Sequence, residues 1–546
     1  MATNRSLQVP STSTASLEVP KLGTITGILY NGGECTQYLG ITYANIPGRF
    51  RRSIPAQEPW PMRTCDGTKL GPYCPQPPRD FYPVPDPPTR TWLNTPETDE
   101  FNCLNLNISI PKHDAAKGPL PVMVFFHGGA YAYSTGASPI YDGRLLATSS
   151  AMDNDTPTIV VTLNYRLGVY GFLAGTDLEA YAAANGESGT GNYGIWDQIL
   201  ALRWIQKHIY SFGGDPKRVC IFGQSAGSQS VVCHVNRGEQ LFSSAIMQSG
   251  LLSLCGIFTP AQYHVVFEKM LGQLGLSLES TPVQRAEAIA SVPEKALTEA
   301  MMPVFGIPVV TMALCDDGVL LPEMAKAASL FDFQVPEFVD RVMIGDALHE
   351  CIIWNKSWNH LDAADLLTEM SVFMGEKSKI VADLYGIHAG LSQKQTFDVI
   401  ERMTTDGLYR IPNYLAELAI PHSYAYHFNV PSPYDNEWGG LCHHSFDNVL
   451  VWGVLEHTLP PEQQEIGKAM RSMFIKFANN VEPWEAFEHV GKFCIFGPKD
   501  VKQQTNNEFD RESYQRWDKI KQEGLVEPLW KLSEELNLQR RRLLSK

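Results

Sequence analysis

The 546-residue sequence contains no unbroken run of eighteen apolar residues, which leaves it without a candidate membrane-spanning helix. Its opening, Met1 to Ala15, has one basic residue, Arg5, and no apolar segment after it. A secretory leader or anchor is therefore not expected, and a cytoplasmic location is. Only eleven cysteines are spread over the chain, an odd number with no C-x-x-C pair among them. Neither a metal cluster nor an extensive disulfide framework is expected, and no metal or cofactor is implied. No repeat period of roughly 20 to 50 residues occurs, which excludes solenoids and propellers. Basic residues are also short, 44 against 59 acidic, and the net charge of −15 repels phosphate backbones and anionic lipid. Nucleic acid and membrane surfaces are not expected partners. The one basic cluster, Arg540 to Arg542, reads as the end of a solvated helix.

What remains is an ordinary globular composition, 44% hydrophobic and 19% charged. Residues 1–18 read as a mobile Ser/Thr-rich arm and 19–546 as one domain. Gly23–Gly33 and Gln37–Tyr43 carry β-branched and aromatic runs split by Asn-Gly, the pattern of a hairpin. Residues 71–97 hold eight prolines between Pro72 and Pro88, so an irregular excursion is expected there. Then come short apolar runs without polar alternation: Pro121–Phe126, Thr158–Leu163, Arg218–Phe222, Ser244–Gln248, Arg341–Gly345 and Ser423–Phe428. Such runs suit strands covered on both faces. Helical patterns lie between several of them, the clearest with Ile199, Leu202, Ile205 and Ile209 on one face. The expected fold class is α/β, a mostly parallel sheet flanked by helices. Helical cap insertions are expected near 260–335 and 361–418, over the sheet's C-terminal edge, where such folds bind ligands. A last amphipathic stretch, Arg511–Arg542, would pack across the outside.

The run Arg218–Phe222 leads straight into Gly223-Gln-Ser225-Ala-Gly227. A serine caught between a strand and a helix sits on a sharp turn with its hydroxyl exposed, and only glycine two positions either side leaves room for the backbone. Ser225 is the candidate nucleophile; the bland alternative is a helix cap. A hydroxyl becomes nucleophilic when an imidazole takes its proton, and the imidazole needs a carboxylate to hold its tautomer. The developing oxyanion needs amide donors. The strand Pro121–Phe126 ends in His127-Gly-Gly-Ala130-Tyr131, whose amides can converge with that of Ala226.

Beyond these turns, Gly40-Ile-Thr-Tyr-Ala, Asn102-Cys-Leu-Asn-Leu-Asn-Ile, Asn164-Tyr-Arg-Leu-Gly-Val-Tyr-Gly-Phe, Gly191-Asn-Tyr-Gly-Ile-Trp-Asp-Gln, Phe212-Gly-Gly-Asp-Pro and Gln248-Ser-Gly occur in order. With the two glycine turns, this chain resembles the type-B carboxylesterase/lipase family, which includes the cholinesterases, and is most similar to fungal intracellular members. The resemblance implies an α/β-hydrolase fold and places oxyanion donors at Gly129, Ala130 and Ala226. It places the acid at Glu350, where Cys351 replaces the usual glycine; Asp346, one residue past the strand, is the rival. It places the base at His444, by its spacing to Asp447 and Gly453, with His443 as the alternative. Ser249 matches a serine that supports acid and base, and Cys74 and Cys103 match a loop-closing disulfide that could remain as thiols. Cys255 lies near the first half of another.

These residues imply a two-step acyl transfer on a small to medium uncharged ester, with a small-molecule partner and homodimerisation left open. Gln224 stands where cholinesterases carry a glutamate beside the nucleophile, which argues against a cationic choline ester. Gln224 and Tyr131 are candidate substrate contacts, and Tyr133 and Trp92 could line the same pocket or be plain core. Two alternatives stand beside hydrolysis: an acyltransferase or lactone-forming enzyme with the same triad, and a non-catalytic binding protein like the family's adhesion branch.

Overall fold

A computed structural model describes residues 9–78, 84–306, 309–320, 334–487 and 491–545. Residues 1–8 of the expected arm, 79–83 of the proline-rich excursion, and 307–308 and 321–333 of the first expected cap lie outside them.

Twelve strands run in one sheet: β1 (Thr12–Val19), β2 (Gly23–Tyr30), β3 (Cys35–Thr42), β4 (Asn105–Pro111), β5 (Leu120–Phe126), β6 (Ile159–Leu163), β7 (Gly214–Gln224), β8 (Ser244–Gln248), β9 (Arg341–Ala347), β10 (Ser423–Phe428), β11 (Lys492–Phe496) and β12 (Val501–Thr505). The spatial order is β1-β2-β3-β4-β6-β5-β7-β8-β9-β10-β11-β12, and a short strand, Thr64–Asp66, pairs beside β2. From β6 to β11 every pairing is parallel; the flanking strands are antiparallel. The six apolar runs of the sequence are the six strands β5 to β10. Their continuity has a physical cause, because side chains alternate between two covered faces. Val122, Val124 and Phe126 join one core cluster, Met123 and Phe125 the other.

The expected arm is corrected in its second half, for Thr12–Val19 is a strand paired along its whole length with β2. The Ser/Thr pattern that reads as mobile is that of an exposed edge strand. The C-terminal stretch is less peripheral than expected: Trp517, Ile520, Leu529 and Leu532 are buried in one cluster with Leu366, Met370 and Ile400 of the second expected cap. Arg540 is buried, paired with Glu534 at 3.2 Å and bonded to the Cys255 carbonyl, so the basic cluster does not simply end in solvent. Among the described residues no helix is long and apolar enough to cross a membrane.

Register sets up the site. Gln224 of β7 pairs with Gln248 of β8, and Gln248 with Gly345 of β9, so the three lie level at the strands' C-terminal ends. The residues that follow them, Ser225, Ser249 and Asp346, therefore emerge along one rim.

Candidate active site

Helix α1 (Tyr193–His208) packs against α2 (Ala226–Arg237), and α2 begins two residues after β7 ends. Ser225 fills the gap with φ 60° and ψ −127°, a strained conformation for a residue with a side chain. The glycines around it are sterically required. A Cβ on Gly227 would lie 1.9 Å from the Phe126 carbonyl oxygen, and one on Gly223 2.4 Å from the backbone of Gly227. Opposite, after β5, Gly129 and Ala130 both take positive φ. Among the described residues the amides of Gly129, Ala130 and Ala226 donate no backbone hydrogen bond. Ala226 opens α2, so its amide is one of the helix's orphan donors. Buried His127 stacks on Tyr165 at 4.5 Å, and burial pushes its imidazole down to about 4, so it is neutral.

Glu350 is completely buried on the turn after β9. Its Oε1 accepts from the Ala347 amide at 2.6 Å, and its Oε2 from Nδ1 of His444 at 2.5 Å. A carboxylate on Nδ1 keeps the proton there and leaves Nε2 as an acceptor. That Nε2 faces the carboxamide nitrogen of Gln224 at 3.1 Å, and the Gln224 oxygen accepts from Ser445 Oγ at 3.0 Å. Ser225 and His444 line one cavity of about 260 Å³ without a hydrogen bond between them.

The rival residues have other partners. His443 bonds through Nδ1 to the His444 carbonyl at 2.9 Å and packs on Trp438 and Phe446. Burial pushes it down to about 4, and among the described residues no carboxylate bonds to it. Asp346 is held by His427 at 2.7 Å, Asn413 at 3.2 Å and Arg410 at 3.4 Å. Burial raises its carboxyl, but His427 and Arg410 outweigh that and hold it below the usual range. Asp447 accepts from Gln248 at 2.9 Å, and burial pushes it up to about 6.

Two expectations need correction, and for Trp92 the choice left open between pocket and core falls to the core. Tyr131 does not line the cavity: its ring packs on Phe172 at 4.3 Å and its hydroxyl takes a bond from Ser230, because its side chain turns into the core beneath the glycine turn. Ser249 donates its amide to Gly345, but its hydroxyl bonds neither Glu350 nor His444. Trp92 packs near Arg144, away from the cavity. Cys74, Cys103 and Cys255 are buried thiols, and Cys74 Sγ accepts from the Leu167 amide at 3.1 Å.

Gln224 and Tyr133 do line the cavity, together with Tyr141, Met302, Trp354 and Trp438, which sequence reasoning missed. Those four sit in loops and short helices that carry no local motif. For the three aromatic ones the only signal was compositional, a large ring in an otherwise irregular stretch, and Met302 carried none. Replacing Gln224 with glutamate puts a carboxylate against His444 Nε2, which favours the imidazolium. The acid limb of kcat/KM is expected to move up, so activity falls most below neutrality. A pH–rate profile measures it; an unmoved limb would mean that position 224 does not face the base.

Comparison with known proteins agrees with the fold and extends to chemistry. The family model described as "Carboxylesterase family" matches residues 13–526. Lipase 3 of Yarrowia lipolytica is 28% identical over 483 residues, 86% of this chain and 90% of its own length. The para-nitrobenzyl esterase of Bacillus subtilis is 36% identical over 241 residues, 43% of this chain and 44% of its own. A solved structure named PNB esterase aligns with TM-score 0.72 over 92% of this chain and all of that one, at 24% identity. With the family model spanning nearly the whole sequence, the chain belongs to the carboxylesterase family and is a carboxylic ester hydrolase on the α/β-hydrolase fold.

Proposed function

We propose that the chain hydrolyses small to medium uncharged esters through a serine acyl-enzyme, with Ser225 as nucleophile, His444 as general base and Glu350 as its orienting acid. The observation that carries this is the Glu350–His444 hydrogen bond, buried and short, beside a serine on a strained strand-to-helix turn in the same cavity. His444 Nε2 takes the Ser225 proton as Oγ attacks the ester carbonyl, and the amides of Gly129, Ala130 and Ala226 bind the oxyanion. The imidazolium returns its proton to the departing alcohol. A water then enters, gives its proton to Nε2 and attacks the acyl-enzyme, and the acid leaves as Ser225 recovers its proton.

The cavity supports this substrate class. At about 260 Å³ it sits at the small end of ligand sites, and Tyr133, Tyr141, Met302, Val309, Ile353 and Trp354 favour apolar groups. Among the described residues the charged side chains on it are Lys356 and Glu437, both exposed, and its inner wall carries none. The partner in this reading is a small ester, and a net charge of −15 supports no polyanion.

A series of p-nitrophenyl esters from acetate to palmitate tests the class. A maximum in kcat/KM at short or medium chains is expected, with a choline ester slower than its uncharged isostere by about tenfold. A rate still rising at palmitate, or a preference for the cation, would overturn it.

A further inference from the structure

Helix α3 (Gln393–Thr405) runs without a break into a π-helical turn, Asp406–Arg410. Such turns are rare and concentrate at functional sites. Glu401, Thr405 and Tyr409 follow one another four residues apart along this segment, and each meets the triad's surroundings. The two consecutive amides of Glu350 and Cys351 start a short 3₁₀ helix, Cys351–Ser357, where no turn precedes them to accept their protons. Both are accepted by one oxygen, Thr405 Oγ1, at 3.1 and 3.0 Å. The hydroxyl's own proton goes to Glu401 Oε1 at 2.8 Å. A hydroxyl has two lone pairs and one proton, so all its capacity is used and its orientation is fixed. One turn on, the Tyr409 ring stands edge-on to His444 with centroids 5.6 Å apart.

We infer that Thr405, oriented by Glu401, is a positioning residue for the ester hydrolysis: it clamps the backbone at Glu350 and so fixes the carboxylate that holds His444. The inference rests on the proposed triad. A freed turn at 350 could drift by an ångström while remaining folded, and displacements of that size at a reacting constellation cost up to about 100-fold. Burial pushes the Glu401 carboxyl up to about 8, and Asp406 and Glu350 push the same way against the hydrogen bond from Thr405. Near neutral pH Glu401 is therefore uncharged and adds no second negative charge beside Glu350. Its part is to hold a hydroxyl.

The test is Thr405→Val, which keeps the shape and removes the acceptor, with Thr405→Ser as the conservative rescue and Glu401→Leu to release the hydroxyl. Rates are taken per active site titrated with a fluorophosphonate, so an unfolded fraction does not count. Thr405→Val is expected to lower kcat by about tenfold or more with KM within about twofold, and Thr405→Ser to stay within about threefold of wild type. Glu401→Leu should lower kcat in the same direction. Combined with Glu350→Gln, Thr405→Val should cost less than about twofold further, since both act through one carboxylate. Wild-type kcat in Thr405→Val with an impaired Glu350→Gln overturns the inference and leaves the triad standing; a full-activity Glu350→Gln overturns the triad instead. A Thr405→Val loss undiminished in the Glu350→Gln background would mean action by another route, and also overturns it. Hydrogen exchange on the wild-type chain gives a reading independent of any variant. Peptides covering 349–352 should be protected, and exchange at open-loop rates would sink the clamp.

Discussion

Ser225→Ala is expected to lower kcat by about 10⁴- to 10⁶-fold toward every ester hydrolysed, with the fold unchanged. The methyl group occupies the same strained turn, and among the described residues the Ser225 side chain makes no cap hydrogen bond that folding would lose. What goes is the bond-forming atom. The residual rate should still exceed the uncatalysed one, because the amides of Gly129, Ala130 and Ala226 remain to bind an oxyanion formed by water. Titration with a fluorophosphonate should label wild type at one site and the variant at none. Equal hydrolysis by both proteins would remove Ser225, and the mechanism with it.

Glu350→Gln and Asp346→Asn should separate two carboxylates only four positions apart. Glu350 holds His444 Nδ1, so the amide leaves the shape and removes the charge that favours the correct tautomer and the imidazolium; kcat should fall by about 10³- to 10⁴-fold. Asp346 holds His427, Asn413 and Arg410 inside the protein and does not touch His444. Neutralising it strands a buried guanidinium, a loss of about 3 kcal/mol of stability, and should lower the unfolding temperature while leaving kcat per titrated site within about threefold. The opposite result, with Asp346→Asn inactive and Glu350→Gln active, would transfer the acid's role to Asp346. Both kinetics and thermal unfolding are needed, since a simple activity assay confuses a lost carboxylate with a lost fold.

Legibility differed by element for physical reasons. The strands β5 to β10 could be read within a residue or so at most ends, because a strand covered on both faces must be apolar throughout. The turn at Ser225 could be read because the approach of Phe126 to Gly227 forbids any side chain there, and that prohibition is written in two glycines. Thr12–Val19 could not. An edge strand with its outer residues in water has the same composition as a mobile arm, and only its pairing with β2 distinguishes them. Tyr131 was misplaced because a two-residue rotation of the backbone at Gly129 and Ala130 decides whether the next ring enters the cavity or the core. Thr405 and Tyr409 were invisible, since a threonine at a helix end is ordinary until the partner across the fold is known.

By itself the sequence determined an α/β sheet, the serine's turn and the glycine turn facing it, all of which are enforced by residues within a few positions of one another. The family resemblance named Glu350 and His444 ahead of Asp346 and His443; only the tertiary structure brings that pair within hydrogen-bonding distance and sets Gln224 against the imidazole. Those contacts join positions 94 and 220 residues apart. Over such separations no local preference survives, and the outcome depends on strand register and on which side chain the packed core leaves at the rim.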